Sequence, residues 1–352
     1  MMRLLFGIWI SLSASLLVAE PLKVAFVYVS PVGDAGWSYS HDLGRQHLEQ
    51  TYGSDIQTKF VESVPEGRRS REVIVKLAEE NDVVIATSWG YMVSMERVAE
   101  QFPNVNFEHA TGIRRGANLS TYATRAYEAR YLSGMVAAAM TKSNHIGYIA
   151  AFPIPEVIRG LNAFTLGAQS INSDVTVTVE WSNAWYAPTA AAKLSNQLID
   201  AGADVLAMHT DSPAVVETAE KRGVYAIGYH SDMRAYGPKS HLTAVVHDWG
   251  QIYEDRLKSI LDQDVITADI WTGLKEGSSK LSTISPEVPG NVLQKVNLAK
   301  EQISSGELNI FAGPIKNHKG RMRVKDGKAL DDEDLNRMNW YVEGIEGNLK
   351  FY

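Results

Sequence analysis

The sequence of 352 residues contains no cysteine. This absence excludes disulfides, thiolate metal ligands, a cysteine nucleophile and a lipid-modified N-terminal cysteine. Basic residues are not concentrated anywhere beyond Arg68–Arg71, and the net charge is −7. We therefore expect no nucleic-acid-binding surface. After residue 19, no apolar run approaches the roughly 18 residues that a membrane-spanning helix needs.

The remaining composition, 45% hydrophobic and 21% charged, is that of a globular protein. The chain is longer than one hydrophobic core usually serves, so we expect two domains. Residues 1–19 have Arg3 followed by an apolar run from Leu4 to Val18 and the small residue Ala19. This pattern predicts a cleaved secretory signal; an uncleaved anchor helix and a buried first helix are the alternatives. The predicted location is the periplasm, without a lipid anchor.

Short apolar runs alternate with helix-like segments along the chain. The runs are Val24–Val29, Val83–Ala86, Ile146–Ala150, Val205–Met208 and Val224–Ile227. Continuous apolar runs of this length are typical of strands buried on both faces of a parallel sheet. Their alternation with helices predicts a doubly wound α/β fold.

The order of elements in residues 23–133 recurs in residues 145–257. For example, Ser54-Asp55-Ile56 and Ser173-Asp174-Val175 each open a strand, 119 positions apart. This offset is too long for a solenoid repeat and indicates a duplicated domain. We predict a first lobe of residues 20–124 plus about 247–270 and a second of 125–246, joined by a hinge near Ser120–Thr124 and Leu242–Val246. Residues 271–352 form an extension whose lobe the sequence leaves open.

Open α/β sheets bind ligands beyond the carboxyl ends of their strands. We therefore expect the ligand-binding residues in the loops at these ends, where aromatic rings could stack on a flat ligand and polar groups could bond to its edge. The candidates are Asp34, Trp37, Ser88, Trp89, Tyr91, Thr111, Phe152, Trp185, His209, Asp211, His230 and Asp232.

Two His-x-Asp pairs, His209 with Asp211 and His230 with Asp232, raise the alternatives of metal binding and acid–base catalysis. Alternate residues of an extended segment point to opposite faces, so neither pair forms a natural chelate. The sequence has no Gly-x-Ser-x-Gly elbow, P-loop or Gly-x-Gly-x-x-Gly motif. We expect hydrogen bonding to a small polar ligand, with no metal, no cofactor and no catalysis.

Several stretches resemble the basic membrane protein family of ABC-transporter solute-binding proteins. They include Gly33–Trp37, Phe102–Phe107, Tyr127–Gly134 and Gly273–Gly277, and the resemblance extends over nearly the whole chain after the signal. It implies a type I periplasmic-binding fold, in which two Rossmann-like lobes close on the ligand by hinge motion. It also implies a monomer that delivers its ligand to separate permease and ATPase subunits in the inner membrane. The best known ligands of the family are purine nucleosides.

Carried over by this resemblance, Trp37 lies where relatives stack an aromatic ring on the base. His230 falls near an acidic residue that holds ribose hydroxyls, His247 near a lysine that helps hold the ribose, and Thr111 near a family aspartate. A neutral imidazole accepts one hydrogen bond, whereas a carboxylate accepts both bonds from a cis-diol. The altered sugar side favours a bare purine such as adenine over a nucleoside. A nucleoside-converting enzyme and a ligand sensor for a membrane receptor are the other hypotheses.

Overall fold

The computed structural model of the protein describes residues 20–262 and 267–349. The predicted signal at residues 1–19 lies outside the described residues. Within the described chain, no helix combines the length and apolarity that crossing a membrane requires.

The strands and helices alternate as the sequence pattern predicts. In the first half they are β1 Leu22–Val27, α1 Trp37–Tyr52, β2 Ile56–Val61, α2 Arg68–Ala78, β3 Val83–Ala86, α3 Met92–Gln101, β4 Asn106–Ala110 and β5 Leu119–Thr124. In the second half they are α4 Ala126–Met140, β6 His145–Ala150, α5 Pro155–Ile171, β7 Thr176–Trp181, α6 Pro188–Asp200, β8 Val205–His209, α7 Ala214–Arg222, β9 Tyr225–His230 and β10 His241–His247.

The remaining elements follow β10. They are α8 Gly250–Leu261, β11 Asp269–Thr272, β12 Ser279–Leu281, α9 Gly290–Ser305, β13 Ile315–Lys316, β14 Met322–Val324, α10 Asp332–Asn336 and β15 Ile345–Glu346.

Two sheets organise the molecule, each the centre of one lobe. The first has the order β11-β5-β4-β3-β1-β2 and the second β12-β10-β9-β8-β6-β7-β15. The five strands β10-β9-β8-β6-β7 thus repeat the order β5-β4-β3-β1-β2, and within each set of five every pairing is parallel. The prediction of two similar doubly wound α/β lobes is confirmed.

Strand β1 shows why the runs are apolar throughout. Val24 and Phe26 belong to one buried cluster, which includes Leu48 of α1 and Leu257 of α8. Ala25 and Val27 belong to another, which includes side chains of α2 and α3. Because side chains alternate across a strand, burial on both faces requires an apolar residue at every position.

The chain crosses between the lobes three times. β5 lies in the first sheet, but α4, which follows it, packs on α5 of the second lobe. After β10 the chain returns, and α8 packs on α1. After β11 it crosses again to β12, and the later elements α9 and β15 contact α4 and β7. The extension after β12 therefore lies mainly on the second lobe.

Candidate ligand-binding site

A cavity lies between the lobes, at the carboxyl ends of the strands of both sheets. Ten residues line it: Val29, Trp37, Ser88, Trp89 and Thr111 from the first lobe, and Glu156, Trp185, His209, Asp211 and His230 from the second. Eight of the twelve candidate residues from the sequence are among them. The strand-end rule therefore locates the cavity, and both copies of the repeat contribute to its wall.

The other four candidates lie elsewhere. Tyr91 is fully buried in the core of the first lobe, where its hydroxyl donates to the carbonyl oxygen of Val64. Phe152 packs against Trp185 with ring centroids 5.1 Å apart, outside the cavity lining. Asp34 and Asp232 are exposed at the rim. The structure thus brings eight of the candidates together around the cavity and places these four outside its lining.

Two lining residues were missed by the sequence reasoning. Val29 lies two residues after the end of β1, but an apolar residue gives no sign of a ligand contact. Glu156 is the second residue of α5 and closely follows the strand-end loop that contains the candidate Phe152. A search that included the first turn after each such loop would have found it.

Trp37 is held rigidly at the cavity. It begins α1 immediately after Gly36, its indole Nε1 donates to the Thr87 carbonyl at 2.5 Å, and it is 7% exposed. Its ring meets His41 and His230 edge-on, at centroid distances of 4.3 and 5.1 Å. A ring fixed by both a hydrogen bond and packing loses little freedom when a ligand stacks on it.

A hydrogen-bonded chain runs from the crossing segments to the cavity. Thr124 Oγ1 lies 2.9 Å from His247 Nδ1, and His247 Nε2 lies 3.2 Å from His230 Nδ1. His230 Nε2 is 3.6 Å from a carboxylate oxygen of Asp211. Burial lowers the pKa of His230 and that of His247, the latter to about 3. Both rings are therefore neutral near pH 7, each with one donor and one acceptor nitrogen.

Asp211 and His209 present unpaired polar atoms at the cavity. Both side chains are buried, and neither Asp211 Oδ2 nor His209 Nδ1 has a hydrogen-bond partner among the described residues. Burial raises the pKa of Asp211 to about 7. Since buried polar groups normally find partners, these two atoms are suited to a ligand. No three His, Asp or Glu side chains in residues 20–262 and 267–349 could together hold a metal ion.

Two cavity residues have left-handed backbone conformations. Thr111 has φ +61° and His230 has φ +69°. They occupy equivalent places in the repeat, at the ends of β4 and β9, and are 119 positions apart. A positive φ is a true outlier for a β-branched residue such as threonine, and such strain is concentrated at functional sites.

The lobes are closed on one another. The backbone N–H of Gly36 donates to Ser231 Oγ at 3.1 Å, and Trp185 Nε1 donates to Glu66 Oε1 at 3.1 Å. The Tyr236 hydroxyl donates to the Asp34 carboxylate. Asp34 therefore joins the two lobes at the rim, which explains its position outside the cavity.

Comparison with known proteins identifies the family. Residues 22–311 match the Bmp family, described as ABC transporter substrate-binding protein, PnrA-like. The chain belongs to the Bmp family of ABC transporter substrate-binding proteins. A purine-binding protein of Brucella abortus is 43% identical to this Bmp protein over 94% of each chain. A candidate ABC transporter glucose-binding protein of Haloferax volcanii is 37% identical, over 94% of this chain and 82% of that one.

The fold of this Bmp protein also matches solved structures. An ABC transporter solute-binding protein of Aeropyrum pernix superposes with a TM-score of 0.72 at 19% identity, covering 90% of this chain and 96% of that one. The resemblance recognised in the sequence and the type I periplasmic-binding fold that it implied are thus confirmed.

The buried histidines predict a steep loss of stability in acid. Six of the nine histidines are buried with lowered pKa values: His41, His109, His209, His230, His241 and His247. Below pH 6.5 these imidazoles bind protons in the unfolded chain but stay neutral in the folded protein. The free energy of unfolding therefore decreases as the pH is lowered. Each histidine contributes about 1.4 kcal/mol per pH unit. Carboxyls with raised pKa values, such as Asp211, oppose this loss but are fewer.

Urea titrations at pH 7, 6 and 5 measure this loss. His241 is a suitable residue to replace, because it lies outside the cavity and neither ring nitrogen forms a hydrogen bond. The His241→Phe variant should lose stability less steeply than wild type between pH 6 and 5. A free energy of unfolding that stays constant down to pH 5 would contradict the prediction.

Proposed function

We propose that this Bmp protein captures a purine base, with adenine as the first choice, and delivers it to a membrane permease. The observation that carries the proposal is the closed cavity, in which the ring of Trp37 lies beside the unpaired polar atoms of Asp211 and His209. A flat heteroaromatic with hydrogen-bonding groups on its edge fits such a wall, since stacking and edge bonds act together. The purine-binding name of the Brucella relative supports this choice.

One feature favours the base over a nucleoside, which remains the second candidate. His230 lines the cavity near the place where the resemblance puts a ribose-binding carboxylate, and a neutral imidazole accepts only one hydrogen bond.

We also propose that the protein acts in the periplasm as a monomeric binding protein with separate permease and ATPase partners, and that it does not convert its ligand. Mass, measured by light scattering in the presence and absence of ligand, tests the monomer. Chromatography after prolonged incubation with adenine or adenosine tests turnover. A new product would favour the enzyme hypothesis.

The central experiment identifies the ligand. The purified protein is denatured gently and the released small molecules are analysed by mass spectrometry. Calorimetry then compares adenine, hypoxanthine, adenosine, riboflavin and glucose, the last because of the name of the Haloferax relative. We expect 1:1 binding that is strongest for adenine. Adenosine as the strongest ligand would favour the nucleoside, and glucose or riboflavin as the sole ligand would overturn the purine proposal.

A further inference from the structure

We infer that Glu156 is a specificity-determining residue of the cavity, and that its carboxylate accepts a hydrogen bond from the exocyclic amino group of the bound base. The inference rests on the proposed function, because it assigns a recognition role within the same cavity. Neither the sequence reasoning nor the family resemblance pointed to this residue.

The position of Glu156 suits this role. Pro155 occupies the first turn of α5, where the fixed φ of proline suits the helix, and Glu156 follows it. Glu156 lines the ligand cavity and also a neighbouring groove on the hinge side, which Tyr122 and Ala123 border. Trp89 and Thr111 are shared by the two spaces in the same way. Trp89 and Thr111 belong to the first lobe and Glu156 belongs to the second. Glu156 therefore lies where the cavity meets the groove, and the edge of a bound ligand would face it there.

The carboxylate is available to a ligand. Trp185 donates to Glu66, and Arg125 and Asp332 form an ion pair at 2.7 Å, so neighbouring acidic groups already have partners. Glu156 forms neither a hydrogen bond nor an ion pair with any residue in the described ranges 20–262 and 267–349. Glu156 is half-buried, and a carboxyl partly withdrawn from water without a partner gains stability when a bound molecule supplies a hydrogen bond.

Two buried guanidinium groups favour the ionised form of this carboxyl. Arg159 lies one helical turn further along α5, and its guanidinium is held 4.8 Å over the Trp271 ring and 3.4 Å from Asn336 Oδ1. Arg130 is fully buried, with its guanidinium 3.4 Å from the centroid of the Tyr229 ring. Burial raises the pKa of Glu156, and both arginines oppose this shift without cancelling it. Within residues 20–262 and 267–349 neither arginine forms an ion pair with the carboxylate, so its oxygens are free to accept a hydrogen bond from a ligand.

The chemistry of the carboxylate dictates a preference. An ionised carboxylate only accepts hydrogen bonds, so the ligand atom opposite must carry a proton. The exocyclic amino group of adenine meets this need. The oxo group of hypoxanthine at the same position would place two acceptors against each other, which disfavours that ligand. Glu156 therefore selects purines with an amino group at C6 over purines with an oxo group at C6.

The test is the Glu156→Gln variant, which keeps the shape of the side chain but presents one donor and one acceptor. Calorimetry measures Kd for adenine and hypoxanthine in wild type and variant. We expect adenine to bind at least tenfold more weakly to the variant, while hypoxanthine binds equally well or better. The ratio of the two Kd values should then change at least tenfold, a result that a general loss of structure cannot produce. Glu301→Gln, at an exposed position of α9, is the matched control.

The outcomes separate this inference from the proposed function. If wild type binds adenine and Glu156→Gln leaves the ratio unchanged, the role of Glu156 is overturned and the proposed function stands. If wild type binds neither purine, both are overturned. Equal weakening for the two purines, with a lowered Tm, would assign Glu156 a structural role and overturn its selectivity.

Discussion

Gly36→Ala is expected to weaken ligand binding at least a hundredfold. Gly36 has φ +98° and ψ −166°, a conformation that only glycine adopts readily. A Cβ atom at this position would lie 2.0 Å from the carbonyl oxygen of Asp211 in the other lobe. This separation is far below van der Waals contact and involves backbone atoms, so the lobes would have to move apart. A ligand held by one lobe alone loses half of its contacts and remains open to water.

Gly33→Ala is the matched control for this prediction. Gly33 belongs to the same loop and has φ +53°, but a Cβ there would meet no atom within 4 Å. It therefore also places an alanine at a positive φ, but without the steric block, and we expect its Kd to stay within about threefold of wild type. Calorimetry measures Kd, and small-angle X-ray scattering measures whether ligand reduces the radius of gyration. A Gly36→Ala protein that contracts and binds like wild type would show that the close approach is dispensable.

The fold was predictable because burial imposes a simple pattern. A strand covered by helices on both faces must be apolar at nearly every position, and the run Val24–Val29 therefore locates β1 to within two residues at each end. The duplication was recognisable because the two lobes share one strand order, so the same local signals recur at a nearly constant offset.

The site was predictable as a set of loops, but not residue by residue. Asp34 and Trp37 belong to one loop, yet only Trp37 lines the cavity. The turn at Gly36 sets the direction of the chain between them, and there the backbone closely approaches the Asp211 carbonyl of the second lobe. Such a contact joins residues distant in sequence, and no local pattern encodes it. Glu156 was missed for a different reason. Glutamate is common in the first turn of a helix, where it interacts favourably with the helix dipole, so its presence there gives no sign of ligand binding.

Trp37→Ala is the second change with a large expected effect, a weakening of adenine binding by ten- to a hundredfold. Stacking of a base on an aromatic side chain is worth about 1–3 kcal/mol by alanine substitution, and each 1.4 kcal/mol corresponds to a factor of ten in Kd. The ring of Trp37 is already fixed by its bond to the Thr87 carbonyl, so little of this energy is spent on ordering it. Calorimetry measures the change, and thermal melting establishes that the variant is folded.

Trp37→Phe separates the ring from the hydrogen bond. Phenylalanine keeps an aromatic face but cannot donate to Thr87, so we expect its Kd to lie within about fivefold of wild type. If binding instead falls as far as in Trp37→Ala, the bond to Thr87 and the position it fixes matter more than the stacking surface.

If Trp37→Ala binds adenine like wild type, the base does not stack on this ring. Trp89 and Trp185, which also line the cavity, would then be the residues to replace. Quenching of tryptophan fluorescence by adenine distinguishes these cases, because it should be reduced in Trp37→Phe only if the base lies against Trp37.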